Sequence, residues 1–128
     1  MPLRFVRLGT PRLAEEGTRI GAVRRLPRGV RKERYAADDW FDVWYPDLSP
    51  SADLVEQART ARTDEEWAAF VKAFRAEMNA PTAKRTLDLL AALSHNANFS
   101  LGCYCENEAR CHRSVLRALL VAREAAVS

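Results

Sequence analysis

Between Phe99 and Leu120 the chain reads F-S-L-G-C-Y-C-E-N-E-A-R-C-H-R-S-V-L-R-A-L-L, and all three cysteines and one of the two histidines fall inside it. Cys103, Cys105, Cys111 and His112 are four soft ligands within ten residues. Three thiolates and an imidazole satisfy tetrahedral zinc, and the same set can hold iron. The spacing is unlike an ordinary zinc knuckle. Cys103 and Cys105 are one residue apart, so on an extended strand they share a face. Cys111 and His112 are adjacent, so at a helix start their side chains diverge by about 100 degrees. Chelation by all four requires the loop from Glu106 to Arg110 to curl tightly.

Thiol chemistry is the second reading of the same residues. A cysteine at a helix N-terminus beside arginine has its thiolate favoured by the helix dipole and by positive charge. Cys111, flanked by Arg110 and Arg113, meets both conditions, and His112 is placed to act as general base or proton donor. These two are the candidate catalytic residues. Cys111 to Arg117 also has a C-x5-R spacing, but without the glycines that let a loop wrap phosphate in backbone N–H groups. The plain alternative is that the thiols are half-buried packing groups and His112 anchors the helix.

A second charged cluster lies early in the chain. Arg24, Arg25 and Arg28 surround Pro27 at the end of a predicted strand. If that strand runs parallel to the one ending at Cys103, their guanidiniums share its edge of the sheet. Guanidinium offers a planar fork for carboxylate or phosphate. With Arg24, Arg28, Arg113, Cys103 and Cys105 as ligand-binding candidates, this edge becomes an anion pocket at a helix start. Trp40, Trp44 and Tyr45 are aromatic rings on which a base can stack there, though such rings more often fill cores.

The elements that must position these groups follow from periodicity and punctuation. Strands are expected over Leu3 to Leu8, Thr18 to Arg25, Trp40 to Tyr45 and Phe99 to Cys103, with a loop or single helical turn over Arg31 to Asp39. Ser49 or Ser51 caps a short helix reaching Arg59. Thr63 and Glu66 form a capping box before Trp67, Phe70, Val71, Phe74 and Met78, which recur at helical spacing. Pro81 opens a further helix with Leu87, Leu90, Leu93 and Leu89 as its inward stripe. A last helix is expected over Cys111 to Ala126, with Val115, Leu116, Leu119 and Leu120 inward. The order predicts an α/β fold, a single Rossmann-like domain over 1–128 with a small, mostly parallel sheet flanked by helices.

Composition agrees. With 128 residues, 48% hydrophobic and 29% charged, the chain is long enough for one core without disulfides. No run approaches the roughly 18 apolar residues of a membrane span. Met1-Pro2-Leu3-Arg4-Phe5 lacks a signal-peptide core, and an odd, clustered cysteine count suits a reducing cytoplasm. Residues 1–34 carry ten Lys/Arg against Glu15, Glu16 and Glu33, a balance of +7, whereas residues 35–128 carry ten against fourteen, or −4. Such a basic third fits an anionic ligand or a nucleic acid, or is simply a solvated surface.

Taken together, R-I-G-A-V-R-R-L-P-R-G at Arg19 to Gly29, W-Y-P-D-L-S-P-S at Trp44 to Ser51, the W-x-x-F helix from Trp67, and L-G-C-Y-C to C-H-R at Leu101 to Arg113 resemble the domain-of-unknown-function 488 family, in particular its YeaO-like branch. The resemblance spans nearly the whole chain. It implies a Rossmann-like domain of bacterial cytoplasm, and maps the family's pattern onto Arg24, Pro27 to Gly29, Cys103, Cys105, Cys111, His112 and Arg113. Many relatives carry an acidic residue just before the strand-end arginine. Here that position is Val23, and Asp42 or Asp47 are the carboxylates available to replace it. Three functions are therefore expected: a phosphorylated or nucleotide-like ligand bound, with or without turnover; a nucleic-acid-binding module; or a metal- or redox-responsive protein carrying zinc or iron on the Cys-His cluster. The oligomeric state is left open.

Overall fold

The computed structural model describes residues 2–128; Met1 lies outside it. Four strands, β1 (Leu3–Arg7), β2 (Thr18–Gly21), β3 (Val43–Trp44) and β4 (Phe99–Cys103), form one sheet in the order β1-β4-β2-β3. All its pairings are parallel, with Leu101 opposite both Phe5 and Ile20. The helices are α1 (Ala52–Thr60), α2 (Asp64–Met78), α3 (Pro81–Leu93) and α4 (His112–Val121). This is the small α/β fold that the sequence predicts. Among the described residues, no helix is long and apolar enough to cross a membrane.

β4 is buried at all five positions, as a central parallel strand requires. On one face of the sheet, Leu3, Phe99 and Leu101 share a core with Phe70, Phe74, Met78, Leu87, Leu90, Val115, Leu116 and Leu120. The capping box of α2 is complete: Thr63 accepts from the Glu66 N–H at 3.1 Å, and the Glu66 carboxylate accepts from the Thr63 N–H at 3.1 Å. On α3 the inward positions are Ala83, Leu87, Leu90 and Ala91, while Leu89 and Leu93 are exposed. At 100 degrees per residue, position 89 lies on the far side from 87, and position 93 has drifted off the stripe.

The opposite face is built differently. Gly21 and Gly102 bring the sheet close to its cover. A methyl at Gly21 would sit 2.5 Å from the Phe41 ring, and one at Gly102 would sit 2.4 Å from Leu8. The segment around Tyr35 to Phe41 lies here, with one 3-10 turn at Lys32–Arg34. Beneath it is a buried ion pair. Arg19, fully buried, donates from Nε and Nη2 to the Glu16 carboxylate at 2.7 and 2.9 Å, and from Nη1 to the carbonyls of Thr10 and Asp39. The Ser100 hydroxyl donates to the same carboxylate at 2.7 Å. Burial pushes the Glu16 carboxyl up, but the bonds from Arg19 and Ser100 outweigh it and hold its pKa below the usual glutamate value.

β1 ends one residue early, at Arg7, and three further elements are shorter than expected, each for a local reason. β2 ends at Gly21 because the next carbonyls serve side chains: Ala22 O accepts from His112 Nε2 at 2.6 Å and Val23 O from Trp44 Nε1 at 2.8 Å. β3 keeps only Val43 and Trp44 of the expected Trp40 to Tyr45, since Trp40 and Phe41 turn in to cover the sheet. α4 stops at Val121, and Glu124 takes a left-handed φ of 61°. The chain then returns to β1, where Leu3 N–H donates to Ala126 O and Ser128 N–H to Leu3 O.

Glu16→Gln would leave Arg19 as a buried cation without its carboxylate, at an expected cost of about 3 kcal/mol or more in urea unfolding at neutral pH. The native carboxyl titrates below its unfolded value. Its stabilisation is therefore present above the ordinary carboxylate range and fades as pH falls through the folded pKa. That acid-side decline should be marked in the wild type and much reduced in Glu16→Gln.

Candidate functional site

The C-terminal ends of β2 and β4 open onto a cavity of about 300 Å³. This is the edge of a parallel sheet where α/β proteins place ligands. Val23, Pro50, Val55 and Ala58 give it an apolar floor, and Cys103, Tyr104, Cys105 and His112 form its inner wall. Ser49 and the arginines Arg24, Arg25, Arg59 and Arg110 complete the lining, which contains no carboxylate among the described residues.

The cysteine–histidine wall is built by the β4–α4 junction. Cys103 is the last residue of β4 and Cys111 caps α4. Both are 1% exposed. Cys111 has φ −132° and ψ 151°, extended backbone outside the helix. Its side chain therefore does not follow the helical rotation that would carry it away from His112. Cys111 Sγ lies 3.8 Å from His112 Nδ1, and the ligand atoms of Cys103, Cys111 and His112 are all within 4.8 Å of one another. The sequence-based expectation of divergence at this pair fails for that reason. Cys103 and Cys111 face each other with Cα atoms 7.9 Å apart, beyond the roughly 7 Å at which a disulfide stops bridging two backbone positions without moving them. Their two sulfurs are in direct contact.

His112 is fixed at its far nitrogen. A carbonyl only accepts, so the 2.6 Å bond to Ala22 O places the ring proton on Nε2 and leaves the Nδ1 lone pair toward the sulfurs. The Phe74 ring packs edge-on against the imidazole at 5.8 Å. Burial lowers the His112 pKa to about 4, so the ring is neutral at ordinary pH.

The other predicted site residues are distributed unevenly. Arg24 lines the cavity, and its Nε and Nη2 donate to Pro50 O and Ser49 O, tying β2's exit to the segment before α1. Cys105, exposed as a residue, lines the cavity outside the Cys103–Cys111–His112 group, and partial desolvation of its sulfur against the cavity wall pushes its pKa up. Arg113 is not at the cavity. It is buried beneath the loop, with Nη2 donating to Cys105 O at 2.7 Å and Nε unpartnered. Arg28 lies in a neighbouring hollow with Arg25, Leu26, Pro27, Trp40 and Tyr104. Tyr104 stands between the two hollows, its hydroxyl donating to Arg25 O at 2.7 Å. Burial raises the pKa of that hydroxyl to about 12.

Neither carboxylate offered in place of Val23 reaches the site. Asp42 is held by Arg12 and the Arg19 N–H, and Asp47 lines a separate hollow beyond Arg24. Trp44 and Tyr45 are also elsewhere, Tyr45 bonding Thr86. Arg59 is a cavity residue that the sequence reading passed over, and Arg110, expected only as a charge beside Cys111, also lines the cavity. Arg59 pairs with Glu56, and Arg110 pairs with Asp64 and lies 5.6 Å over the Trp67 ring. Only the tertiary placement of α1 shows that Arg59 belongs here.

The model of DUF488-N3a, described as the Active DUF488-N3 subclade, matches residues 3–124. This chain belongs to that subclade. The matched span includes the C-Y-C and C-H-R residues of the β4–α4 junction and the R-R-L-P-R-G turn, both of which contribute residues to the cavity lining. Neither the curated proteins nor the solved structures searched give a match.

Thiol reactivity follows from this DUF488 geometry. Iodoacetamide on the native protein should label Cys105 first, with a rate that keeps rising above the ordinary thiol pKa. Cys103 and Cys111 should be labelled only on unfolding. Peptide mass spectrometry reads the order directly.

Proposed function

We propose that this protein binds a phosphorylated, nucleotide-like ligand in the cavity at the C-terminal edge of its sheet and presents it to the Cys-His cluster. One observation carries the reading: a single cavity joins four arginines to Cys103, Cys105 and His112 over an apolar floor. Glu56 and Asp64 neutralise Arg59 and Arg110, whereas Arg24 and Arg25 have no carboxylate partner among the described residues. An anion is the natural counterpart of those two guanidiniums. The volume, about 300 Å³, suits a nucleoside-sized body with its phosphate at the rim. Tyr104 is the ring on which a base would stack. If a reaction follows, Cys103 is the buried thiol that faces the ligand, and His112 Nδ1 is the free base beside it. Thiols in this role need a reducing compartment such as a cytoplasm.

A nucleic-acid reading has less support, because much of the basic N-terminal third is already paired. Arg7, Arg12, Arg19 and Arg34 each have a carboxylate within 4 Å.

Calorimetric titration with adenosine monophosphate, ribose 5-phosphate and inorganic phosphate tests the proposal. A nucleoside monophosphate should bind more tightly than phosphate, and Arg25→Ala should weaken it roughly tenfold or more, the worth of a charge-assisted bond. Absence of binding at millimolar ligand, or binding indifferent to Arg25→Ala, overturns it. Tighter binding to single-stranded DNA with a steep salt dependence would instead make the protein a nucleic-acid module.

A further inference from the structure

We infer that Cys103, Cys111 and His112 form a three-ligand site for a zinc-type divalent ion, held by Sγ, Sγ and Nδ1, with its open coordination position toward the cavity. The site stands on its own ligand geometry; only the use of its open position rests on the proposed anion pocket.

Three features carry it. The three ligand atoms already converge, all within 4.8 Å of one another, and the Sγ–Nδ1 distance is 3.8 Å. Two bonds of about 2.3 Å and 2.0 Å at a tetrahedral angle separate sulfur and nitrogen by roughly 3.5 Å, so one ion fits between them. The Cα separation of 7.9 Å is too long for a relaxed disulfide but suits two thiolates joined through a metal, which adds a bond to the span.

Second, His112 has the outer contact that ligating histidines usually show. Its other nitrogen donates to a backbone carbonyl, Ala22 O, which fixes both tautomer and ring orientation. The donor is a main-chain group at the end of β2, so the sheet itself aims Nδ1.

Third, the arrangement is open on one side. Cys103 and His112 line the cavity and Cys111 does not, so the position left without a protein ligand is taken to be on the cavity side. Two sulfurs and one imidazole with a free position match the catalytic class of zinc site rather than the closed structural one. An ion there would bring Lewis acidity beside the arginine rim, the placement that polarises a phosphoryl or carbonyl oxygen. Two thiolates also neutralise a divalent ion, so no further carboxylate is needed in a lining that has none. Cys105 is excluded from the ligand set, unlike the four-ligand reading of the sequence.

The test uses the untagged chain purified in reducing buffer without chelator. Elemental analysis should find about one zinc per chain. Replacement by cobalt should give a tetrahedral visible spectrum with thiolate-to-metal charge transfer sized for two sulfurs. That measurement on the wild type needs no variant and so survives misfolding of any mutant. Cys111→Ser and His112→Ala should lose the metal, while Cys105→Ser and Arg25→Ala retain it. The proposal is overturned by a metal-free protein that binds neither zinc nor cobalt, by a cobalt spectrum without thiolate bands, by equal loss in Cys105→Ser, or by a Cys103–Cys111 disulfide in freshly reduced protein. Zinc binding without any phosphate-ester binding would leave the metal site standing and remove the anion reading. The reverse result would do the opposite.

Discussion

A buried guanidinium is tolerated only when its donors are met, and Arg19 is the residue around which this fold is organised. Its four bonds reach Glu16, Thr10 and Asp39, and through Glu16 they reach Ser100 on the central strand. The connection from β1 to β2, the pairing of β2 with β4, and the covering segment near Phe41 are thereby fixed by one polar knot. On a face where Gly21 and Gly102 leave little side-chain volume, directional bonds do what apolar packing does on the helical face.

The site inherits this precision. With β2 locked against β4, the Ala22 carbonyl emerges where the first turn of α4 can use it. The same short stretch gives its next carbonyl to Trp44, which holds the edge strand. Strand termination and side-chain orientation are one event here: β2 ends because its acceptors are spent on the groups that shape the cavity. Arg24 adds a third tie, to the carbonyls of Ser49 and Pro50, so α1 begins close beside the pocket.

Much of this was legible in the chain, and the limits have physical causes. The capping box at Thr63, the helix opened by Pro81 and the strand from Phe99 to Cys103 are local signals, and they appear where periodicity and capping place them. The Cys-His-Arg junction opposite a strand-end arginine could also be read, because parallel strands end on a common edge. Other features depend on tertiary geometry. The convergence of Cys111 and His112 turns on one residue being extended rather than helical. Arg59 sits on α1, remote in sequence from the β4–α4 junction that forms the cavity's inner wall. Leu89 and Leu93 show that leucine content alone does not identify an inward stripe, since small Ala83 and Ala91 fill places on α3 that leucine does not.

Tyr104 sits between the cavity and the hollow that holds Trp40 and Arg28, and its hydroxyl bond to the Arg25 carbonyl keeps the ring across the gap. It acts as a partition. A smaller residue at this position would join the two spaces into one trough running from α1 to the Pro27 turn. The length of the open space is thus set by one aromatic ring, whereas the charge of its lining comes from the arginines. Shape and charge are carried by different residues, so one can change without disturbing the other.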